Sequence, residues 1–403
     1  MSDITSSSAS APRRSSLLVQ DERTKRRNAS EARFRFVGLI AGAIGVLALV
    51  GLLTSILANG LSSFQQTYAE VEVYLDPAKL DKSGDRNLEK IAKVSTFGYA
   101  PLIQVAMETA SAKAGVDVSA LSSKDLVAMI SKEAPATLRN YVLANPEMIG
   151  ETVTFSLLVN GRIDGYFKGR VTMASAALDR NISPEQLQAA DDLRAAGVLD
   201  KTFNWAFFTA PDASDTRPEA AGLGVAILGS IYMMLIVLCL SLPLGVAASI
   251  YLEEFAPQNR FTDLIEVNIS NLAAVPSIVF GILGLAIFIN VVGLPQSAPI
   301  VGGLVLTLMT LPTIIIATRA ALKSVPPSIR DAALGVGASK MQAIFHHVLP
   351  LAMPGILTGA IIGLAQALGE TAPLLLIGMV AFVREYPAGP PEGLFDPAAA
   401  LPV

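Results

Sequence analysis

Long uncharged stretches along the chain are separated by polar segments, and the first of them predicts a transmembrane helix. Residues 36–58 contain no charged side chain. As a helix this stretch covers about 34 Å, more than the roughly 30 Å hydrocarbon core of a bilayer. A cleaved signal peptide is the alternative, but its apolar region is shorter, at about 7 to 15 residues. We therefore expect residues 36–58 to span the membrane.

Four further apolar stretches occur in the second half of the chain. Each is long enough to cross a bilayer as a helix, and Glu266 is the one charged residue within them. This pattern predicts an all-α polytopic membrane core over residues 221–383. The four stretches are residues 223–250, 264–292, 300–318 and 351–368.

The last segment of the chain, residues 384–403, is rich in Pro and too short to cross a membrane. With the first helix, the apolar stretches make five spans. Either the protein has five spans, or a sixth follows Val403. We expect the second, with residues 384–403 as an extracytoplasmic tail that leads to an absent last span.

Residues 59–220 differ from the rest of the chain, because charged residues return and soluble-domain patterns recur. Asn160-Gly161 between two strand-like runs predicts a tight hairpin turn. Ser183-Pro184 predicts the start of a helix, since Ser is a frequent cap and Pro a frequent first helical residue. We expect an inserted α+β domain, large enough for a core of its own. The sequence does not indicate the role of this domain.

Positive charges predict the orientation of the spans. Residues 1–35 carry eight Arg or Lys side chains and no apolar periodicity, which predicts a disordered basic tail held in the cytoplasm. Such an arm could also bind nucleic acid or anionic lipid, but topology already accounts for it, so we expect no nucleic-acid partner. Residues 59–220 then lie outside. The loop that lies inside carries basic residues of the kind this rule requires, namely Arg319, Lys323, Arg330 and Lys340.

Composition agrees with a membrane protein and disfavours an enzyme. Hydrophobic residues make up 52% of the chain and charged residues 16%, with a mean hydropathy of +0.52 and a net charge of -4. Two histidines and one cysteine cannot build a metal site or a nucleophile with its base, so we expect no metal. No phosphate-binding G-x-x-x-x-G-K-[ST] loop occurs.

The loop of residues 323–350 carries two helix-start signatures. Ser328 can cap a first helix, and Asp331 can complete a capping box with it. Gly337 suits the left-handed turn that ends such a helix. The first half of the loop therefore predicts a short helix that stops close to Gly337.

A second helix is predicted to start in the same loop. Ser339 opens another capping box, and Pro350 predicts where this helix stops. Two short helices at an angle, on the cytoplasmic side of two spans, form a rigid projection that can fit a groove on a partner. From the residues alone, without any resemblance to known proteins, the loop is a helix-turn-helix, and this arrangement favours a docking site.

The loop resembles the EAA loop of binding-protein-dependent ABC importers. That motif reads E-A-A, three residues, G, nine residues, I, one residue, L-P, and the spacing here is the same. Asp331 replaces Glu and keeps a carboxylate, whereas His347 replaces the usual Ile with a titratable group. The resemblance implies coupling to an ATPase through Ser328, Asp331, Ala332, Ala333, Gly337, Ser339, Leu349 and Pro350.

Two further stretches resemble the PstA type of phosphate permease subunit. They are residues 274–281, AVPSIVFG, and residues 369–375, GETAPLL. The resemblance covers residues 223–383 and implies a multi-pass permease of the bacterial inner membrane that imports phosphate. It also implies a second permease subunit, a dimer of ATP-binding subunits that binds the ATP, and a periplasmic phosphate-binding protein, with membrane lipid around the spans.

Residues of the translocation path are expected near Glu370. A carboxylate at membrane depth is costly unless it is paired or lines water, so Glu370 either pairs with an Arg of the partner permease or is held near the surface by water. Gln366 stands where some family members carry an Arg. Arg319 either draws the anion or is an ordinary positive-inside anchor. The path candidates are Glu370, Thr371, Gln366, Pro276, Ser277, Pro312 and Arg319.

Two other functions stay open from the residues. A permease of this superfamily for sulfate, molybdate or an amino acid differs from a phosphate permease in its solute. A membrane sensor would use residues 59–220 as a receptor, but it would need a cytoplasmic signalling domain, which this sequence lacks.

Pro276 and Pro312 each interrupt an apolar stretch. Such a break either lines a cavity or is accommodated by neighbouring helices without functional consequence.

Overall fold

The computed structural model describes residues 22–82, 84–213, 216–379 and 382–403. The chain divides into two compact units, and the boundary in the sequence lies between Ser62 and Ser63. The first unit is formed by helix α1, Glu22–Gly60, which contains the predicted first span. Residues 22–35, predicted to be disordered, are helical here, and the remaining residues of that tail lie outside the described ones.

The helical start of α1 has a local cause. Its first turns are rich in Glu, Arg and Ala, which have high helix propensity. Arg35 also pairs with Glu31 one turn earlier, an arrangement that supports an exposed helix. The apolar segment that follows therefore continues a helix that has already begun.

The second unit opens with an α+β portion, residues 63–209. Its sheet has three antiparallel strands in the order β2-β1-β3. The strands are β1 Gln65–Tyr74, β2 Thr152–Leu158 and β3 Leu199–Phe203. The helices are α2 Pro77–Leu80, α3 Leu88–Ile91, α4 Ala100–Lys113, α5 Ser123–Ala128, α6 Ala134–Ala144, α7 Gly161–Phe167, α8 Met173–Ala176, α9 Pro184–Ala195 and α10 Ala206–Thr209.

Buried and exposed side chains alternate along β1, and this alternation explains why the α+β portion has its own core. Val71 and Val73 point inward and are buried, whereas Glu70, Glu72 and Tyr74 between and beside them face outward. Helices α4, α6 and α9 cover the inward face with buried apolar side chains. The core contains apolar side chains from β1 to β3 and none from the membrane core.

The predicted hairpin at Asn160 is wrong. The strand before it forms, but β2 pairs with β1, and a helix follows where the second strand was expected. The side chain of Asn160 accepts a hydrogen bond from the backbone N–H of Arg162 at 2.9 Å and so caps α7. Asn serves turns and helix caps equally well, and the local sequence did not distinguish them. The helix start at Ser183 is confirmed, with a capping box to Gln186.

The membrane core follows the α+β portion. Four helices of the described chain are long and apolar enough to span a membrane, and a bent pair makes up to five. The core helices are α11 Gly224–Ile250, α12 Arg260–Ala273, α13 Ser277–Leu283, α14 Pro299–Ser324, α15 Pro327–Gly335, α16 Lys340–Ala343, α17 Leu349–Leu368 and α18 Ala372–Leu376. Three π-helical segments extend α11, α13 and α16, at Tyr251–Phe255, Gly284–Val291 and Ile344–Val348.

The predicted span 264–292 is a bent pair and not one straight helix. Helix α12 and the helix that starts at Ser277 meet at an angle of 104°. The break falls at Pro276, which occupies the N-cap position of α13. The residue before a proline is disfavoured in the helical conformation, so α12 ends here. Hydropathy could not reveal the bend, because both halves are apolar.

Helix α14 lies between α11 and α17, and small residues bring the three together. A Cβ on Gly303 of α14 would lie 2.6 Å from Cβ of Ile236 on α11. A Cβ on Gly355 of α17 would lie 2.8 Å from Cβ of Ala321 on α14. Such close approach is how helices associate in membranes. Pro312 is buried in α14, which continues through it, so the predicted interruption occurs at Pro276 and not here.

Candidate functional site

Residues 323–350, the EAA-like loop, form the first part of the candidate site. Helix α15 begins at Pro327, with Pro326 at the N-cap position and no side chain capping the helix. Ser328 is therefore the second residue of the helix, and the predicted capping box with Asp331 is wrong. Proline suits the first helical position because its φ is already helical and it has no N–H to satisfy.

The turn and the second helix start occur as predicted. Gly337 has a φ of 90°, and its N–H donates to the carbonyl of Leu334 at 3.0 Å. Ser339 Oγ accepts from the N–H of Gln342 at 3.2 Å, and the Gln342 side chain accepts from the N–H of Ser339 at 2.8 Å. This reciprocal pair is a capping box.

The predicted stop before Pro350 is wrong. The chain stays helical from Lys340 to Leu368, and Pro350 lies in the first turn of α17. A π-helical turn precedes it, in which the N–H of Leu349 donates to the carbonyl of Ile344, five residues earlier. The widened turn shifts the hydrogen-bond register where Pro350 lacks a donor, so the helix passes through it.

The loop presents an exposed apolar face. Val336 at its tip is 85% exposed, and Leu334, Met341 and Phe345 are also exposed. Asp331, Ala332, Gly337 and Ser339 are exposed as well, whereas Ala333 is buried against the protein. Contiguous exposed apolar side chains of this kind are typical of an interaction surface.

Arg330 holds the EAA-like loop to the rest of the core. Its Nε and Nη2 lie 3.0 and 2.7 Å from Glu254 Oε1, in the π-helical segment that follows α11. Its Nη1 and Nη2 also donate to the carbonyls of Val325 and Leu322, at 2.8 and 2.9 Å. The side chains are 22% and 8% exposed, so water screens this pair only in part. One guanidinium therefore joins α15, the end of α14 and the segment after α11.

A second ion-pair cluster lies beside the first. Arg319 Nη2 lies 2.6 Å from Glu266 on α12, and its Nε lies 3.3 Å from Glu253. Lys323 Nζ also approaches Glu253, at 3.5 Å. The charge of Arg319, a path candidate, is thus matched by two carboxylates, and the residue ties α14 to α11 and α12. This is the geometry of a structural anchor.

Sequence reasoning missed the acidic half of these clusters. Glu253, Glu254 and Glu266 all stand at the boundary of an apolar stretch, on the same side of the membrane as the basic loop. Opposite charges at a shared boundary are the signal that would have found them. The individual partners could not be predicted, because they depend on how α11, α12 and α14 pack.

Three path candidates, Gln366, Glu370 and Thr371, lie at the opposite end of α17. That helix has 20 residues, so about 30 Å separates the EAA-like loop from Glu370. Glu370 is half-buried, Gln366 is exposed, and no hydrogen bond or ion pair reaches the Glu370 carboxylate from the described residues. This carboxylate is available to a group outside the described chain.

The two motif stretches, 274–281 and 369–375, touch each other. A Cβ on Gly281 of α13 would lie 2.7 Å from Cα of Pro373 in α18. The missing side chain is what lets these helices meet, next to Ser277 and the bend at Pro276. The structure thus brings the stretch that contains Glu370 and Thr371 against α13.

Thr371 is engaged with the end of the described chain. Its Oγ1 donates to the carbonyl of Pro402 at 2.8 Å. The N–H of Leu401 donates to Ser230 Oγ on α11 at 2.9 Å, and Ala398 is buried among apolar side chains of the core. Residues 398–403 therefore pack against the core beside Thr371.

The family comparison agrees with the geometry of the loop. Residues 241–385 match the model of the binding-protein-dependent transport system inner membrane component, and this region contains the EAA-like loop and both motif stretches. Residues 241–385 of the membrane core are therefore similar to ABC-transporter permeases, which are transport subunits and not enzymes. Residues 21–177 match a second model, described as a domain of unknown function, DUF3333.

Three individual relatives illustrate the similarity to permease proteins. The probable ABC transporter permease protein YqgI of Bacillus subtilis is 34% identical over 194 residues, 46% of this chain and 65% of the relative. The phosphate transport system permease protein PstA 1 of Mycobacterium tuberculosis is 34% identical over 158 residues, 39% and 51% of the two chains. PstA of Xylella fastidiosa is 33% identical over 185 residues, 46% and 62%.

These matches confirm the resemblance to PstA-type permeases. The chain spans between about half and two thirds of the length of these relatives. The similarity to permeases and the apolar helices together indicate a multi-pass protein of the inner membrane.

Proposed function

We propose that this chain is the permease subunit of an ATP-driven phosphate importer, and that its EAA-like loop receives the motion of a separate ATPase. The observation that carries the proposal is the loop itself. Its apolar residues are exposed, while Arg330 fastens its first helix to two other parts of the core. A surface that docks a partner and transmits displacement needs both properties.

A permease that receives the motion of a separate ATPase requires partner subunits. The ATPase, a dimer of ATP-binding subunits, docks on the loop from the cytoplasm and binds the ATP. A second permease subunit completes the path, and a periplasmic binding protein delivers the anion. This arrangement requires the N-terminus and the EAA-like loop on the cytoplasmic side, with the α+β portion on the periplasmic side.

Phosphate is supported by relatives whose names include phosphate transport and by the contact between the two motif stretches. Glu370 would repel an anion, so it is not a direct ligand. It pairs instead with a cationic side chain of the second permease and shapes the path there.

The docking claim is tested by copurification of this chain with the ATPase and the second permease. Gly337→Ala is the informative variant, because a φ of 90° strains any side chain there. Gly335→Ala is the matched control: both positions have open space for a Cβ, but Gly335 ends a helix without a positive φ. We expect Gly337→Ala to lose the ATPase and Gly335→Ala to retain it. Equal retention by both would contradict the proposal.

The substrate is tested by uptake of radiolabelled phosphate into proteoliposomes that contain the whole complex. Another anion stays the alternative, since the name of the YqgI relative states no solute. We expect excess unlabelled phosphate to abolish the signal and excess sulfate to leave it. If sulfate abolishes it, the protein is a permease for a different anion.

A further inference from the structure

Five aromatic side chains lie together where the α+β portion meets the start of α11. We call Phe64, Phe203, Trp205, Phe207 and Phe208 the aromatic cluster. The rings of Phe203 and Trp205 are 4.8 Å apart between centroids, those of Phe207 and Phe208 5.4 Å, and those of Phe64 and Phe207 5.5 Å. These are the separations of directly packed aromatic pairs.

The outer side of the aromatic cluster is exposed. Trp205 is 71% exposed, and Phe203 and Phe208 also rank among the exposed large hydrophobic residues. The rings pack mainly against each other and leave a continuous apolar surface. A surface of this kind is unfavourable in water and marks contact with another apolar phase or partner.

Hydrogen bonds fix the aromatic cluster to a transmembrane helix. The N–H of Leu223 donates to the carbonyl of Phe207 at 2.7 Å, and the N–H of Gly224 donates to the carbonyl of Ala210 at 3.0 Å. These donors belong to the first turn of α11, which has no partner within its own helix. Helix α10 therefore supplies the cap of α11, and the cluster cannot move independently of that helix.

The length of α11 sets the depth of the aromatic cluster. Its 27 residues cover about 40 Å, whereas the hydrocarbon core measures roughly 30 Å and the whole bilayer about 40–45 Å. The helix is longer than the hydrocarbon core, so we expect its first turn at the level of the headgroups. Ile231 and Leu235, further along the same helix, are exposed apolar side chains as well.

We propose that the aromatic cluster is seated in the headgroup layer of the membrane, and that it holds the α+β portion against the lipid surface. Aromatic side chains, Trp above all, favour this layer because their rings are apolar and amphipathic. Tyr386, also exposed, donates from its hydroxyl to the carbonyl of Thr209 in α10 and adds a further ring at this level. The partner of this surface is lipid and not a protein.

The natural sequence offers a direct test, since Trp205 is the only Trp in the chain. The full chain is reconstituted in vesicles whose lipids carry bromine either near the headgroup or near the ends of the acyl chains, and Trp fluorescence is measured. Iodide in the buffer reports access from water. We expect headgroup-proximal bromine to quench Trp205 about twice as strongly as chain-end bromine, with little effect of iodide.

A matched variant supplies a depth reference. Trp205→Phe combined with Leu235→Trp moves the Trp probe to an exposed position on α11. This position lies about 17 Å along the helix axis from the first residue of α11, Gly224. We expect chain-end bromine to quench this variant most. If iodide quenches Trp205 strongly, or if neither bromine position nor iodide does, the aromatic cluster faces water or protein and the proposal is wrong. The readout is independent of transport, so it stands apart from the proposed function.

Discussion

Arg330 and Glu254, which are 76 positions apart in the chain, form a charge-assisted pair with two close contacts at the base of the EAA-like loop. The pair lies at the junction of three elements, because the same guanidinium also reaches the last carbonyls of α14. Hydrogen bonds to charged groups are stronger than neutral ones, and the planar fork of Arg fixes direction as well as distance. The loop is therefore oriented by the core and not free to pivot about α14.

We expect Arg330→Ala to lower import more than ATP hydrolysis. The variant removes four donors at once and leaves Glu254 unpaired in a nearly buried position, at a cost of about 1–3 kcal/mol. The measurement is the number of ATP molecules hydrolysed per anion imported by the reconstituted complex, together with its thermal midpoint.

Lys323→Ala is the control for Arg330→Ala. Lys323 belongs to the same loop, is more than half exposed and contacts Glu253 only at 3.5 Å, so its removal costs little. We expect a near-normal ratio of hydrolysis to import in Lys323→Ala. An unchanged ratio in Arg330→Ala would show that the pair does not orient the loop.

Arg319 allows a structural anchor to be distinguished from an anion-attracting group. Arg319→Gln leaves Glu266 without its cation and Glu253 with only the longer contact to Lys323, and we expect a loss of about 1–3 kcal/mol in stability. The double variant Arg319→Gln with Glu266→Gln removes the charge of Glu266 as well and should regain most of it. Thermal midpoint and phosphate uptake are measured on both.

The two readouts separate the roles of Arg319. If it is an anchor, stability and uptake recover together in the double variant. If it draws the anion, stability recovers while uptake stays low.

Gly281→Ala tests the contact between the two motif stretches. The new Cβ would lie 2.7 Å from backbone Cα of Pro373, which cannot move aside as a side chain can. Overpacking of this kind costs about 1–3 kcal/mol. We expect a lower thermal midpoint in detergent and reduced uptake.

Gly363→Ala is the matched control for this variant. It also lies in a membrane helix, but its Cβ would meet Ile314 at 3.5 Å, an ordinary contact. Alanine favours the helix by about 1 kcal/mol over glycine, so this variant should be neutral or more stable. Equal behaviour of the two alanine variants would mean that α13 and α18 are not tightly packed at Gly281.

Glu370→Gln is expected to abolish uptake while the complex still assembles. The substitution keeps the shape of the side chain and removes the charge that pairs with a cation of the second permease. Glu385→Gln is the control, since Glu385 is an exposed acid further along the same segment. Copurification and radiolabelled uptake are measured in parallel, and normal uptake by Glu370→Gln would exclude a role for this charge.

Elements defined by composition and local chemistry could be predicted from the sequence. The apolar stretches correspond to α1, α11, the pair α12 and α13, α14 and α17, and the capping box at Ser339 occurs as expected. These features depend on residues close together in the chain. Hydropathy alone defines a stretch of the right length, and a cap needs only three or four neighbours.

The wrong predictions fall where one local pattern is compatible with two structures. They also fall where contacts between distant segments determine the structure. Asn160 suits a turn and a helix cap, and Ser328 follows two prolines that shift the helix start by two residues. Pro350 usually ends a helix, but a π-helical turn carries the chain past it. The partners of Arg319 and Arg330 depend on how separate helices pack, which no local pattern encodes.

Continuity through Pro350 makes one rod from the loop to the far side of the core. Lys340 to Leu368 is a single helical run of 29 residues, about 43 Å long. A continuous helix can transmit axial displacement from one end to the other, because its turns are joined by backbone hydrogen bonds. Under the proposed function, a shift that the ATPase imposes on Met341 would be carried along this one helix, through the π-helical turn, toward Gly369 and Glu370.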